Sequence, residues 1–169
     1  MLHKPAGVVS ATHDNHEQTA IDLLGQFKRD DLFPVGRLDK DTEGLLMITN
    51  DGALAHELLS PAKHVEKEYE CHLTTPLNDG QKMKLEQGVD IGEKALTKPA
   101  VVRILDEKRI TLTITEGKYH QVKRMLHAVG NEVIYLKRLR MGTLTLDETL
   151  PKGSFRRLTE EETENLRKC

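Results

Sequence analysis

Residues 36–51 read GRLDKDTEGLLMITND, and the fold turns on what this stretch is. Asp39, Asp41 and Glu43 occupy every second position and Gly44 follows them. The run GLLMITN (44–50) is continuously apolar and of strand length, which predicts a buried strand. The acidic spacing D-x-D-x-E-G matches positions one, three, five and six of an EF-hand calcium loop. The twelfth position, which should carry a bidentate Glu, is Asn50, and no helix pair flanks the loop. A two-metal carboxylate site would need further acids or histidines, and no HExxH spacing supplies them. His13 and His16 read as surface residues in a loop. No metal is therefore assigned, which leaves a solvated acidic turn or a setting for one working carboxylate.

Outward from it, the pattern alternates between strand and helix signals. GVVSAT (7–12) reads as a strand and TAIDLLGQF (19–27) as a short helix. DGALAHELL opens on Asp51 as N-cap, sets Leu54 and Leu58 one turn apart, and stops before Pro61. KEYECHLT (67–74) alternates Tyr69, Cys71 and Leu73, a half-buried strand, and residues 78–88 form a helix closed by Gly88. RITLTIT (109–115) is a strand. YHQVKRMLHAVG (119–130) is a helix with Val122, Leu126 and Val129 on one face. Residues 132–141 and 142–146 are two strands joined at Gly142, and a Thr159/Glu162 capping box starts a last helix. This irregular interleaving predicts an α+β protein with a mixed, largely antiparallel sheet.

The bulk numbers exclude several classes. The chain has 169 residues, 37% apolar and 31% charged, enough for one globular domain. No run approaches the ~20 apolar residues of a membrane span. Pro5 and Gly7 interrupt the start, so it does not read as a secretory signal. Cys71 and Cys169 have no CxxC partner, so a disulfide framework is not expected and a reducing cytoplasm is. Net charge is −2, yet residues 116–157 hold nine Lys/Arg against four acids, a basic stripe suited to phosphates. Aromatics are 4% and Trp is absent, which argues against a platform that stacks several bases.

Four motifs in order carry a resemblance. HKPAG (3–7), GRLDKDTEGLLMITNDG (36–52), KEY (67–69) and EGKYHQVKRML (116–126) resemble those of the RsuA-type pseudouridine synthases, over residues 2 to about 160. LTKPA (96–100) resembles a segment of the small-subunit branch. The resemblance implies a single catalytic domain over 1–169: a mixed, mostly antiparallel sheet flanked by helices, with two subdomains about a central active-site cleft. Such enzymes usually carry an S4-like RNA-binding domain ahead of the catalytic one. Here the chain opens on K-P-x-G, so that domain is expected to be absent and RNA binding weak.

The implied reaction converts a uridine in ribosomal RNA to pseudouridine, and 16S small-subunit rRNA is the expected target. The partner is that RNA, free or in a partly assembled small subunit; the enzyme is expected to be a cytoplasmic monomer without membrane attachment. The alternatives are a large-subunit (23S) synthase of the same family, or a non-catalytic RNA-binding or ribosome-assembly factor. The N1–C1′ bond breaks, uracil turns, and C5 bonds to C1′. Nothing is oxidised or hydrolysed, so no cofactor is expected.

Asp39 is the implied catalytic carboxylate, able to attack or stabilise C1′ or take a neighbouring proton. A cation must keep it ionised in a closed pocket, because a neighbouring positive charge lowers an Asp pKa by roughly 1–3 units. Lys123 matches the family's basic partner and Arg124 is the adjacent alternative, but about 100° separates them on a helix. Tyr69 can stack on the extruded uracil and relay the C5 proton. Lys67 shares its strand face, to support Tyr69 or bind phosphate. Arg37 resembles a residue that enters the RNA stack where the uridine has left. Lys137, Arg138, Arg140, Arg156 and Arg157 are the candidate phosphate contacts.

Overall fold

A computed structural model describes all 169 residues. Nine strands run in chain order: β1 (Leu2–Lys4), β2 (Phe33–Pro34), β3 (Glu43–Leu46), β4 (Ile48–Thr49), β5 (Lys67–Leu73), β6 (Val101–Asp106), β7 (Arg109–Ile114), β8 (Val133–Met141) and β9 (Leu144–Thr145). Four α-helices accompany them: α1 (Gly52–Leu59), α2 (Asp79–Gln87), α3 (Gln121–Ala128) and α4 (Glu160–Arg167). The main sheet has the order β1-β3-β8-β5-β7-β6, with β9 paired to β8, while β2 and β4 form a separate pair. Only β3 and β8 run parallel; every other pairing is antiparallel. The expected mixed, mostly antiparallel α+β sheet is what the chain forms.

The 44–50 run is not one strand. It breaks at Met47 into β3 and β4, which belong to different sheets. Its unbroken apolarity has a packing cause: Leu45 faces one apolar cluster with Leu54, Leu58 and Leu144, and Leu46 faces another with Leu2, Val8 and Leu38. A strand buried on both faces cannot alternate. A third cluster forms where α2 and α3 lie on the β5–β8 sheet, through Leu85, Val122, Met125 and Leu126 against Cys71, Ile110 and Leu112.

Two other expectations are corrected, and one strand was not expected. The strand predicted at 7–12 is a loop with one isolated bridge, Val9 to Thr19; the true first strand is β1, too short at three residues to show a period. The 19–27 helix is a 3-10 helix over Asp22–Phe27, kinked at Gly25, whose φ of 54° an α-helix excludes. β6 escaped detection because it is an edge strand with Val101, Ile104 and Leu105 exposed, so its pattern is not two-sided. The last helix begins as expected: Thr159 and Glu162 form both bonds of the capping box.

Gly44 decides whether the sheet closes. Its φ is +109°, and a Cβ there would stand 2.3 Å from the carbonyl oxygen of Arg138. Any side chain both strains the backbone and forces β3 from β8. Gly44→Ala is expected to lower stability by on the order of 3 kcal/mol or more, read as a fall in urea midpoint and melting temperature.

Candidate active site

Asp39 begins a tight turn, its carbonyl accepting the Thr42 N–H at 3.0 Å. This turn is held from beneath. The Lys4 side chain is fully buried, and its ammonium donates to the carbonyls of Pro5 (2.9 Å), Lys40 (3.1 Å) and Thr42 (2.7 Å). Gly7 N–H adds a bond to Lys40 at 2.8 Å. On the other side Ser10 Oγ donates to the Leu38 carbonyl at 2.9 Å and accepts its N–H at 3.0 Å. The K-P-x-G and G-R-L-D segments, thirty-odd residues apart, are thus one structure.

Burial brings the Lys4 ammonium down to about 8, against the pull of Asp41, Glu43 and Asp39. Its charge is retained at neutral pH because three carbonyls solvate it.

The second half of the site comes from α3. Val122, Met125 and Leu126 bury one face against the sheet, which turns Lys123 toward the Asp39 turn. Lys123 Nζ lies 3.1 Å from Asp39 Oδ2 and 2.7 Å from Asp41 Oδ1. Burial lowers the pKa of this lysine, but its hydrogen bonds to Asp41 and Asp39 and their charges outweigh that and raise it. The Lys123 hydrogen bond in turn holds the Asp41 carboxyl below the usual range, against a weaker desolvation. Arg124 points elsewhere, to the carbonyls of Ile91 and Tyr119 and the carboxylate of Glu93. Of the two cations weighed from sequence, Lys123 is the one beside Asp39.

His120 was not anticipated. It precedes α3 in the left-handed region (φ 48°), stacks on Tyr119 at 3.7 Å between centroids, and sets Nε2 3.1 Å from Asp39 Oδ1. Nothing in the helix spacing marks it, because His120 lies outside α3 in a non-helical conformation. The turn before α3 is shaped by Gln121, which accepts the Lys118 N–H and donates to Glu116. The three alternating acids do not converge. Asp39 and Asp41 share Lys123, while Glu43 is buried on β3 and bound to Tyr135 and Lys152.

These groups surround a cavity of about 680 Å³, lined also by Arg37, Lys67, Tyr69, Ile114, Leu136 and Arg138. That is within the usual range for a small-molecule site and suits one nucleoside. Tyr69 packs on two of the three apolar clusters and stands where they meet. Arg37 is exposed at the cavity.

The basic stripe is less free than its charge suggests. Arg138 is 3% exposed, inside the cavity wall and not on an outer phosphate-binding face. Arg156 is closed on Asp147 and Glu162 through both sides of its guanidinium. Lys137 pairs with Glu148 at 3.1 Å and Arg140 with Glu66 at 2.9 Å. Arg157 is exposed and its side chain has no ion pair. Sequence shows which residues are charged, but not which acids, from six to seventy-four positions away, the fold sets against them.

A family model described as RNA pseudouridylate synthase matches residues 1–128. An uncharacterized RNA pseudouridine synthase, YtzG, of Bacillus subtilis is 56% identical over 96% of this chain and 70% of its own length. The ribosomal small subunit pseudouridine synthase A of Vibrio cholerae is 48% identical over 96% of this chain and 71% of its own. A crystal structure of a pseudouridylate synthase superposes with a TM-score of 0.93 at 41% identity, covering 98% of this chain and 71% of that one.

Replacing Lys4 by Met leaves buried carbonyls without a donor and is expected to cost about 3 kcal/mol or more. The pH dependence isolates the ammonium. Between pH 8, where the folded lysine deprotonates, and 10.5, where the unfolded one does, the unfolded state binds more protons, so the Lys4 contribution to stability rises with pH. The stability gap between wild type and K4M should therefore widen across that window in denaturant titrations; a constant gap contradicts the assignment.

Proposed function

The chain belongs to the RNA pseudouridylate synthase family, and from that premise we propose that it isomerises a uridine of small-subunit (16S) ribosomal RNA with Asp39 as its working carboxylate. The observation that carries the reading is the environment of that side chain. It is a carboxylate at a nucleoside-sized cavity, flanked at 3.1 Å by both Lys123 and His120, on a turn that Lys4 makes rigid.

Breaking the N1–C1′ bond builds positive charge at C1′. A carboxylate held in place meets that charge without reorganising, where water would have to reorient. Lys123 sets a positive charge 3.1 Å from the Asp39 carboxylate before the substrate arrives and fixes its position. Tyr69 stacks on the extruded base, and its phenol takes part in moving the C5 proton once C5 has joined C1′. Arg37, exposed at the mouth, fills the vacated place in the RNA stack. Lys137, Arg140 and Arg157 remain as phosphate contacts, since exposed ion pairs are weak enough for a phosphate to displace the carboxylate. Arg156 is removed from that set, and Arg124 and Lys67 bear on the cleft's structure and floor. The small-subunit assignment rests on LTKPA, on HQVKRM, and on the name of the 48% identical relative. The domain acts as a cytoplasmic monomer in two subdomains about the cleft.

Chemical mapping of pseudouridine in transcripts of both ribosomal RNAs tests the reading. Wild type is expected to modify one uridine of the small-subunit RNA, and Asp39→Asn to lose conversion by on the order of 10⁴-fold or more while still binding RNA. Modification of large-subunit RNA alone would move the target. RNA binding without conversion by wild type would leave a binding module.

A further inference from the structure

Of the cavity cations that the chemistry above does not use, Lys40 and Lys118 are paired with Glu17 and Glu116, and two are left over. Lys67 on β5 and Arg138 on β8 are 7% and 3% exposed, and neither has a carboxylate partner. Arg138 Nε donates to the Leu45 carbonyl at 2.9 Å, while its Nη2 is sealed from solvent with no hydrogen-bond partner at all. Arg138 lies directly across from Tyr69 in the β5–β8 ladder, and Lys67 is two residues before Tyr69 on the same strand face. Burial first, and then the Arg138 charge, push the Lys67 ammonium down. Two like charges buried side by side without an anion are expensive for a fold to maintain. The surrounding apolar side chains, Ile114, Leu136 and Met141, offer them nothing.

We propose that Arg138 and Lys67 form the receptor for a carbonyl oxygen of the flipped uracil and stabilise the negative charge it acquires when the glycosidic bond breaks. This rests on the proposed reaction. When N1–C1′ breaks, its electron pair leaves with the base, so the uracil becomes a monoanion with charge shared among N1, O2 and O4. C1′ is left electron-poor and is met by Asp39. The cavity is polarised in the same sense: its carboxylate is on the turn beside α3, and its free cations are on the strands around Tyr69. After the base turns, C5 bonds to C1′, the C5 proton departs and N1 gains a proton, so the isomerisation balances. A phosphate is the poorer occupant, because a dianion would have to be stripped of its water to reach cations buried this deeply in the cavity, whereas a carbonyl oxygen of a neutral base loses far less hydration.

The test is single-turnover conversion of matched RNAs carrying uridine or 5-fluorouridine at the target, followed as loss of the N-glycosidic nucleoside. Fluorine stabilises the base anion intrinsically, so that substrate depends less on the protein's cations. Arg138→Gln and Lys67→Met are each expected to slow the saturated uridine step about 10²–10³-fold, the size of a lost oxyanion donor, with a penalty at least about tenfold smaller for 5-fluorouridine. An equal penalty for both substrates, or a change confined to KM as loss of a phosphate contact would give, overturns the proposal. Lys67→Met decides it if Arg138→Gln does not fold, judged by thermal melting. Wild type that consumes neither RNA overturns the proposed reaction and this inference with it.

Discussion

The sheet depends on one close contact. β1 and β3 join the remaining strands only through the parallel pairing of Glu43 with Lys137 and Gly44 with Arg138. At that point the two backbones approach so closely that no Cβ fits. The contact has a functional address on each side. Five residues before Gly44 is Asp39, and Arg138 is itself part of the cavity wall. The geometry of the whole cavity therefore follows from how two strands meet at a residue that must be glycine.

Around that junction the chain uses buried positive charge in three ways. Lys4 is solvated entirely by carbonyls and stiffens the turn from below. Lys123 is shared between two carboxylates, of which Asp41 is far more exposed than Asp39. Lys67 and Arg138 have no anion at all. The first arrangement is structural, the second fixes a carboxylate at the cavity, and the third leaves a buried donor without a partner. His120, in a backbone conformation that non-glycine residues seldom adopt, is held by the same network that starts α3.

Local order determined much on its own. The helix starting at Asp51, the Thr159/Glu162 capping box and the alternation of 109–115 all follow from interactions within a few residues, and such interactions are written in the sequence. Asp39 is singled out from Asp41 and Glu43 by the resemblance of its motif to the family's, while the angular difference between Lys123 and Arg124 follows from helix geometry once the apolar face of α3 is known. Tertiary structure decided the rest because those facts depend on residues brought from far along the chain. That LLMITN divides between two sheets, that Lys4 lies under the 39–42 turn, and that Arg140 is occupied by Glu66 are long-range or packing outcomes. Above all, a lysine and an arginine seventy-one positions apart look in sequence like any surface charges. Only the β5–β8 register puts them together, out of solvent and without a counter-charge, because strand pairing fixes proximity and no local signal encodes it.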